Sequence, residues 1–69
     1  NNIVYPRHVC MYLCRQLTDS TYEEIGSKIG NRHHSTILHG EDAIKSKLEE
    51  NDEKTITTID VLTKKIDPQ

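Results

Sequence analysis

Aliphatic residues recur every three or four positions in this chain, always over short runs closed by a residue that caps or breaks a helix. Spacings of three and four place side chains on one face of a helix. Val9, Cys10, Leu13, Cys14 and Leu17 make one such stripe, and Tyr22, Ile25 and Ile29 a second. Ile37, Gly40, Ile44 and Leu48 make a third, widened by Leu38 and Ala43, and Ile56, Ile59, Leu62 and Ile66 a fourth. The pattern predicts an all-α fold, a small four-helix domain with each stripe turned inward.

The punctuation sets the boundaries. Asn1 to Tyr5 reads as an extended lead-in, and Pro6 opens a first helix running to Leu17, since a proline in the first turn gives up no needed N–H. Met11 and Tyr12 fall off the stripe with the polar residues of that helix. Thr21 followed by Glu24 is a capping box, which starts a second helix lasting to about Ile29. Gly26 inside it lowers helix propensity by ~1 kcal/mol relative to Ala, which points to a close helix crossing there. Gly30 and Asn31 both suit the left-handed conformation that ends a helix. His33, His34 or Ser35 caps a third helix that runs to about Glu50, with Gly40 small where a neighbour approaches. Asp52 or Thr55 caps a fourth, Glu53 to Lys65, which Pro68 stops.

At 69 residues there is chain enough for one domain and little left to wall in a catalytic cleft. Without Trp or Phe, the core is aliphatic with some tyrosine. Net charge is −2, so the whole chain is not a generic polyanion binder. The charges are unevenly placed. Residues 1–40 carry Arg7, Arg15, Lys28 and Arg32 against Asp19, Glu23 and Glu24, with all four histidines in addition. Residues 41–69 carry five lysines against eight acids. The acidic excess thus lies behind the turn at Gly30, and distribution matters more than the sum. Cys10 and Cys14, four apart on a core stripe, read as buried free thiols in a reducing compartment. The apolar runs are too short for a signal peptide or a membrane span.

Helix two, a glycine turn and helix three compose a helix-turn-helix, whose second helix inserts its leading residues into a DNA major groove. The residues at that leading end have suitable chemistry. Arg32 is a forked donor for phosphate or guanine, His33 and His34 donate or accept at base edges, and the Ser35 and Thr36 hydroxyls do either. The Thr36 methyl group also matches a thymine methyl.

The run from Pro6 to Gly40 resembles the C-terminal DNA-binding domain of the bacterial replication initiator DnaA. The resemblance rests on Pro6-Arg7-His8, Met11-Tyr12-Leu13, Gln16-Leu17-Thr18 and Glu24-Ile25-Gly26, followed by Gly30-Asn31-Arg32-His33-His34-Ser35-Thr36-Ile37-Leu38-His39-Gly40. It implies that residues 1–69 are one DnaA-like C-terminal domain that binds double-stranded DNA at the DnaA boxes of a replication origin. It implies that His33, His34, Ser35 and Thr36 read bases. Arg7, His8 and Arg15 would meet phosphates, Tyr22 and Glu23 would add main-chain contacts at the start of helix two, and Arg32 would hold the turn against the DNA. It implies further a cytoplasmic, nucleoid-associated protein, a monomeric isolated domain, and ATP binding only in an upstream part, with no cofactor in this stretch.

Three departures stand out. His33 occupies the place of a family Asp, which shifts the expected site. Asp42-Ala43 replaces a basic pair, removing possible phosphate contacts. The family's arginine-rich loop ahead of the first helix has no counterpart after Asn1, so weaker binding is expected of this stretch alone.

Other chemistry fits less well. His33 and His34 are adjacent and His34 and His39 five apart, so neither pair has the one-face spacing of helical zinc ligands. No nucleophile–base spacing supports an enzyme, and His39 reads as structural, turned partly inward beside Gly40. The rival function is a DnaA-like domain reused as a protein-interaction adaptor or in another DNA-binding protein, for which the loss of basic residues and the acidic excess of residues 41–69 are the argument.

Overall fold

The computed structural model describes residues 3–67, which form four α-helices: α1 (Val4–Leu17), α2 (Tyr22–Lys28), α3 (His34–Glu49) and α4 (Glu53–Ile66). The all-α, four-helix reading is correct. Asn1 and Asn2 of the lead-in, and the stop at Pro68, lie outside the described residues.

α1 starts earlier than Pro6. Val4 and Tyr5 are helical, and the Arg7 N–H donates to the Ile3 carbonyl at 3.2 Å. The first N–H groups of any helix lack an acceptor within it, so Pro6 is tolerated two positions further in, as the third helical residue. A residue before proline disfavours the helical region. Tyr5 adopts it nonetheless, and there its hydroxyl lies 2.9 Å from Thr55 Oγ1 and its ring beneath the Lys54 ammonium, 4.9 Å away. A tertiary contact has moved the boundary.

The other ends follow the capping residues. Thr21 and Glu24 make the reciprocal capping box, at 3.1 and 2.7 Å. α3 ends in a Schellman arrangement: Asn51 is left-handed at φ 60°, its N–H donates to the Leu48 carbonyl, and Asp52 N–H donates to the Lys47 carbonyl. Asp52 then caps α4 by accepting from the Thr55 N–H at 3.1 Å.

α1 is packed on two sides, and that decides the core. Val9 and Leu13 join Ile44 of α3, with Tyr5, Leu48, Ile59 and Leu62 around them. On another face of α1, Met11 joins Ile25 of α2 and Ile37 of α3. Met11, assigned to the polar remainder, is fully buried, and Cys10, assigned to the core, is exposed; Cys14 is half-buried. A single-stripe reading fits a helix covered on one face, whereas α1 is covered by α3 and α4 on one side and by α2 and α3 on the other. At the α1–α3 crossing, a Cβ on Gly40 would run into Met11 Sδ and come within 3.1 Å of His8 Cδ2, so the close approach expected there is present.

α4 is rotated from its expected setting. Thr55 is fully buried, Ile59 and Leu62 are half-buried, and Ile56 and Ile66 are 41% and 61% exposed. Thr55 goes inward because its hydroxyl has partners there, Tyr5 and Asp52, which lifts the penalty of burying it. Leu38 does not widen the α3 stripe either; it is exposed.

Candidate nucleic-acid interface

The link between α2 and α3 is built from two consecutive left-handed residues, Gly30 at φ 68° and Asn31 at φ 56°. Such a pair reverses the chain within a few residues, and glycine and asparagine tolerate it best. The reversal brings Arg32 back over α2. Its N–H donates to the Gly26 carbonyl at 2.6 Å, and its own carbonyl lies where a Cβ on Gly26 would stand. The close approach that sequence assigned to a helix crossing is therefore made chiefly by the turn itself, with Ile37 of α3 next at 3.6 Å. Arg32 fixes the turn through its main chain, and its side chain remains exposed.

This turn sets the leading end of α3. His33 is the N-cap: extended at φ −67°, ψ 149°, its Nδ1 accepts from the Ser35 N–H at 3.2 Å and lies 2.8 Å from Ser35 Oγ. Thr36 N–H donates to the His33 carbonyl at 3.0 Å. The His33 and His34 rings are 4.2 Å apart, tilted by 35°. Arg32, His33 and His34 are exposed, while Ser35 and Thr36 are half-buried. Four residues expected to read bases thus occupy one short, ordered segment, and three of them hold one another in place.

The residues expected to meet phosphates are more dispersed. Arg7 and His8 are half-buried on α1, and His8 lies against α3 at Gly40, one turn beyond Thr36. Glu23 is exposed in the first turn of α2. Arg15 is held by the protein. Its Nη1 donates to the Ser20 carbonyl at 2.7 Å, its guanidinium sits 4.2 Å from the Tyr22 ring centre, and its Nε is enclosed without a protein acceptor. Arg15 thereby ties the end of α1 to the start of α2.

Tyr22 leads to a residue that sequence reasoning missed. Its hydroxyl donates to Glu41 Oε1 at 2.6 Å. Glu41 is 3% exposed, and its other oxygen receives Gln16 Nε2 at 3.4 Å and faces Lys45 Nζ at 3.7 Å. A carboxylate this enclosed needs such partners, and together they join α1, α2 and α3 behind the turn. The hydrogen bond to Glu41 pushes the Tyr22 phenol above its ordinary range, and burial adds to it. The available signal was placement: Glu41 follows Gly40 one turn after Ile37, which puts it beside the buried stripe.

Two expectations are corrected here. His39 is exposed, not turned inward, because the side of α3 that meets α1 runs through Gly40. The cysteines are not a buried pair. Burial, then the neighbouring Cys10, pushes the Cys14 thiol up, away from the thiolate that metal binding or nucleophilic chemistry needs.

A short helix, a left-handed turn, and a longer helix whose polar leading end stands exposed, all braced by α1, define a helix-turn-helix domain. The model of the family described as the bacterial DnaA protein helix-turn-helix matches residues 1–44. Among curated proteins, the chain is similar to the chromosomal replication initiator protein DnaA of Lachnoclostridium phytofermentans, with 49% identity over 67 residues, 97% of this chain and 15% of that protein. It is also similar to the proteins of that name from Citrifermentans bemidjiense (40% over 62 residues, 90% of this chain and 14% of that protein) and Streptococcus thermophilus (45% over 65 residues, 94% and 14%). The chain belongs to the bacterial DnaA helix-turn-helix family. It spans about 15% of the length of the curated relatives it matches. No solved structure matches it. Among the described residues, no helix is long and apolar enough to cross a membrane.

Proposed function

We propose that this domain recognises double-stranded DNA at DnaA-box sites of a replication origin, as the DNA-binding part of a replication initiator. The observation that carries this is the internally braced segment from Arg32 to Thr36 at the leading end of α3, with Arg32, His33 and His34 exposed, in a chain of the DnaA family. His33, His34, Ser35 and Thr36 read base edges in the major groove. Arg32, Arg7, His8 and Arg15 face the sugar-phosphate backbone, with the main chain of Tyr22 and Glu23 at the opening of α2. Arg15 is the least free of these, since Ser20 and Tyr22 already hold its guanidinium.

Such a domain is a binding module: the ATP-dependent chemistry of an initiator belongs to the rest of the protein, and the setting is the cytoplasm and its nucleoid. The isolated domain acts as a monomer. The direct test is titration of box-containing and scrambled duplexes over a range of salt. Box DNA binds more tightly, and its affinity falls steeply with salt as phosphate contacts release counterions. A flat salt response refutes the proposal and leaves the adaptor reading, whereas equal, salt-dependent binding to both duplexes refutes box recognition and leaves reuse in another DNA-binding protein.

A further inference from the structure

We infer that His33 reads the DNA as a fixed hydrogen-bond donor: capping α3 through Nδ1 locks its neutral ring as the Nε2–H tautomer, so the position selects an acceptor edge, best met by guanine, and rejects the cytosine amino group. The inference rests on the proposed binding of DNA by α3 and adds the polarity of one contact.

The argument starts from Ser35. A backbone N–H only donates, so the Nδ1 that it meets at 3.2 Å must carry a bare lone pair. The Ser35 hydroxyl, 2.8 Å from the same nitrogen, can rotate to donate to it as well. A neutral imidazole has one proton for two nitrogens, and the hydrogen bond at one nitrogen settles where it goes. Here it goes to Nε2. The ring is exposed, and its contact with His34 restricts how it can turn.

In the major groove, guanine offers two adjacent acceptors, N7 and O6, whereas cytosine offers an amino donor. An Nε2–H set against guanine makes a hydrogen bond; set against cytosine, it faces another donor. Because a G·C pair presents both edges, the prediction concerns orientation: exchanging G·C for C·G at the contacted pair weakens binding.

His33→Asn and His33→Asp provide the test. Both residues are good N-caps, so the start of α3 is retained, and equal melting temperatures check this. With one oxygen capping, Asn turns an NH2 donor outward, whereas Asp turns only an acceptor outward. Binding of the full chain to a panel of box duplexes substituted pair by pair is measured at about pH 8, above the ordinary imidazole range. The expected result is one base pair at which the original protein and His33→Asn both favour guanine, roughly tenfold, while His33→Asp favours an amino-bearing base.

If the protein binds box DNA and its preference is the same in all three forms, the inference fails while the proposed function stands. If no form binds any duplex, both fail. Nitrogen-resolved NMR of His33 in the free protein is an independent check, and a proton found on Nδ1 overturns the inference whatever the DNA shows.

Discussion

Gly26→Ala separates local helix propensity from the tertiary role of the turn. In an isolated α2 the substitution stabilises by ~1 kcal/mol. In the folded domain the new methyl occupies the place of the Arg32 carbonyl oxygen, and the Arg32 carbonyl carbon lies 3.1 Å away. That obstacle is backbone and cannot swing aside as the end of a side chain would. Overpacking of this kind costs about 1–3 kcal/mol. Moving the turn to relieve it also weakens the 2.6 Å bond from Arg32 N–H to the Gly26 carbonyl, worth ~1 kcal/mol. Set against the propensity gain, the net loss is about 1–3 kcal/mol. For a domain of this size that corresponds to a fall of roughly 10 °C in melting temperature.

Thermal unfolding followed by the helical circular dichroism signal measures it. Ser27→Ala, exposed in the same helix, serves as the control, because it gains propensity and meets no obstacle. A melting temperature for Gly26→Ala equal to or above that of the original protein would refute the reasoning. Under conditions where the variant remains folded, its affinity for duplex DNA also falls, since the turn sets the leading end of α3.

Three further outcomes are expected. Tyr22→Phe leaves an oxygen of the enclosed Glu41 without its donor; the melting temperature falls, and the highest-pH phenol titration disappears from the ultraviolet spectrum, whereas an unchanged titration curve would show that Tyr22 is not the raised group. Acid weakens the helix starts: the Thr21 N–H and hydroxyl hold Glu24 below the ordinary carboxylate range, and the Thr55 hydroxyl does the same for Asp52. A depressed folded value means that the stabilisation is full at neutral pH and is lost as pH falls through that value, so the melting temperature drops below about pH 4, and a Glu24→Ala, Asp52→Ala double variant with an equally steep drop would contradict this. Thr36→Ala reduces the preference for box over scrambled DNA by ~1–3 kcal/mol; an equal loss on both duplexes would mean that Thr36 does not read sequence.

What the sequence determined by itself is local. Thr21 and Glu24 fix the start of α2, Gly30 and Asn31 the left-handed turn, and Asp52 the start of α4, because caps and left-handed residues act on backbone a few positions away. The same locality made the segment from Arg32 to Thr36 legible as a candidate reading head, since it is contiguous in the chain. Tertiary structure decided whatever depends on which neighbour arrives. Met11 is buried and Cys10 exposed because α2 and α3 cover α1 from two sides. Thr55 displaces Ile56 from the core because Tyr5, fifty positions away, supplies a partner for its hydroxyl. Glu41 becomes an enclosed brace only when Tyr22, Gln16 and Lys45 gather around it. Periodicity records that a helix has an apolar face, but the direction from which that face is covered, and the polar groups that can follow it inward, are set only when the helices meet.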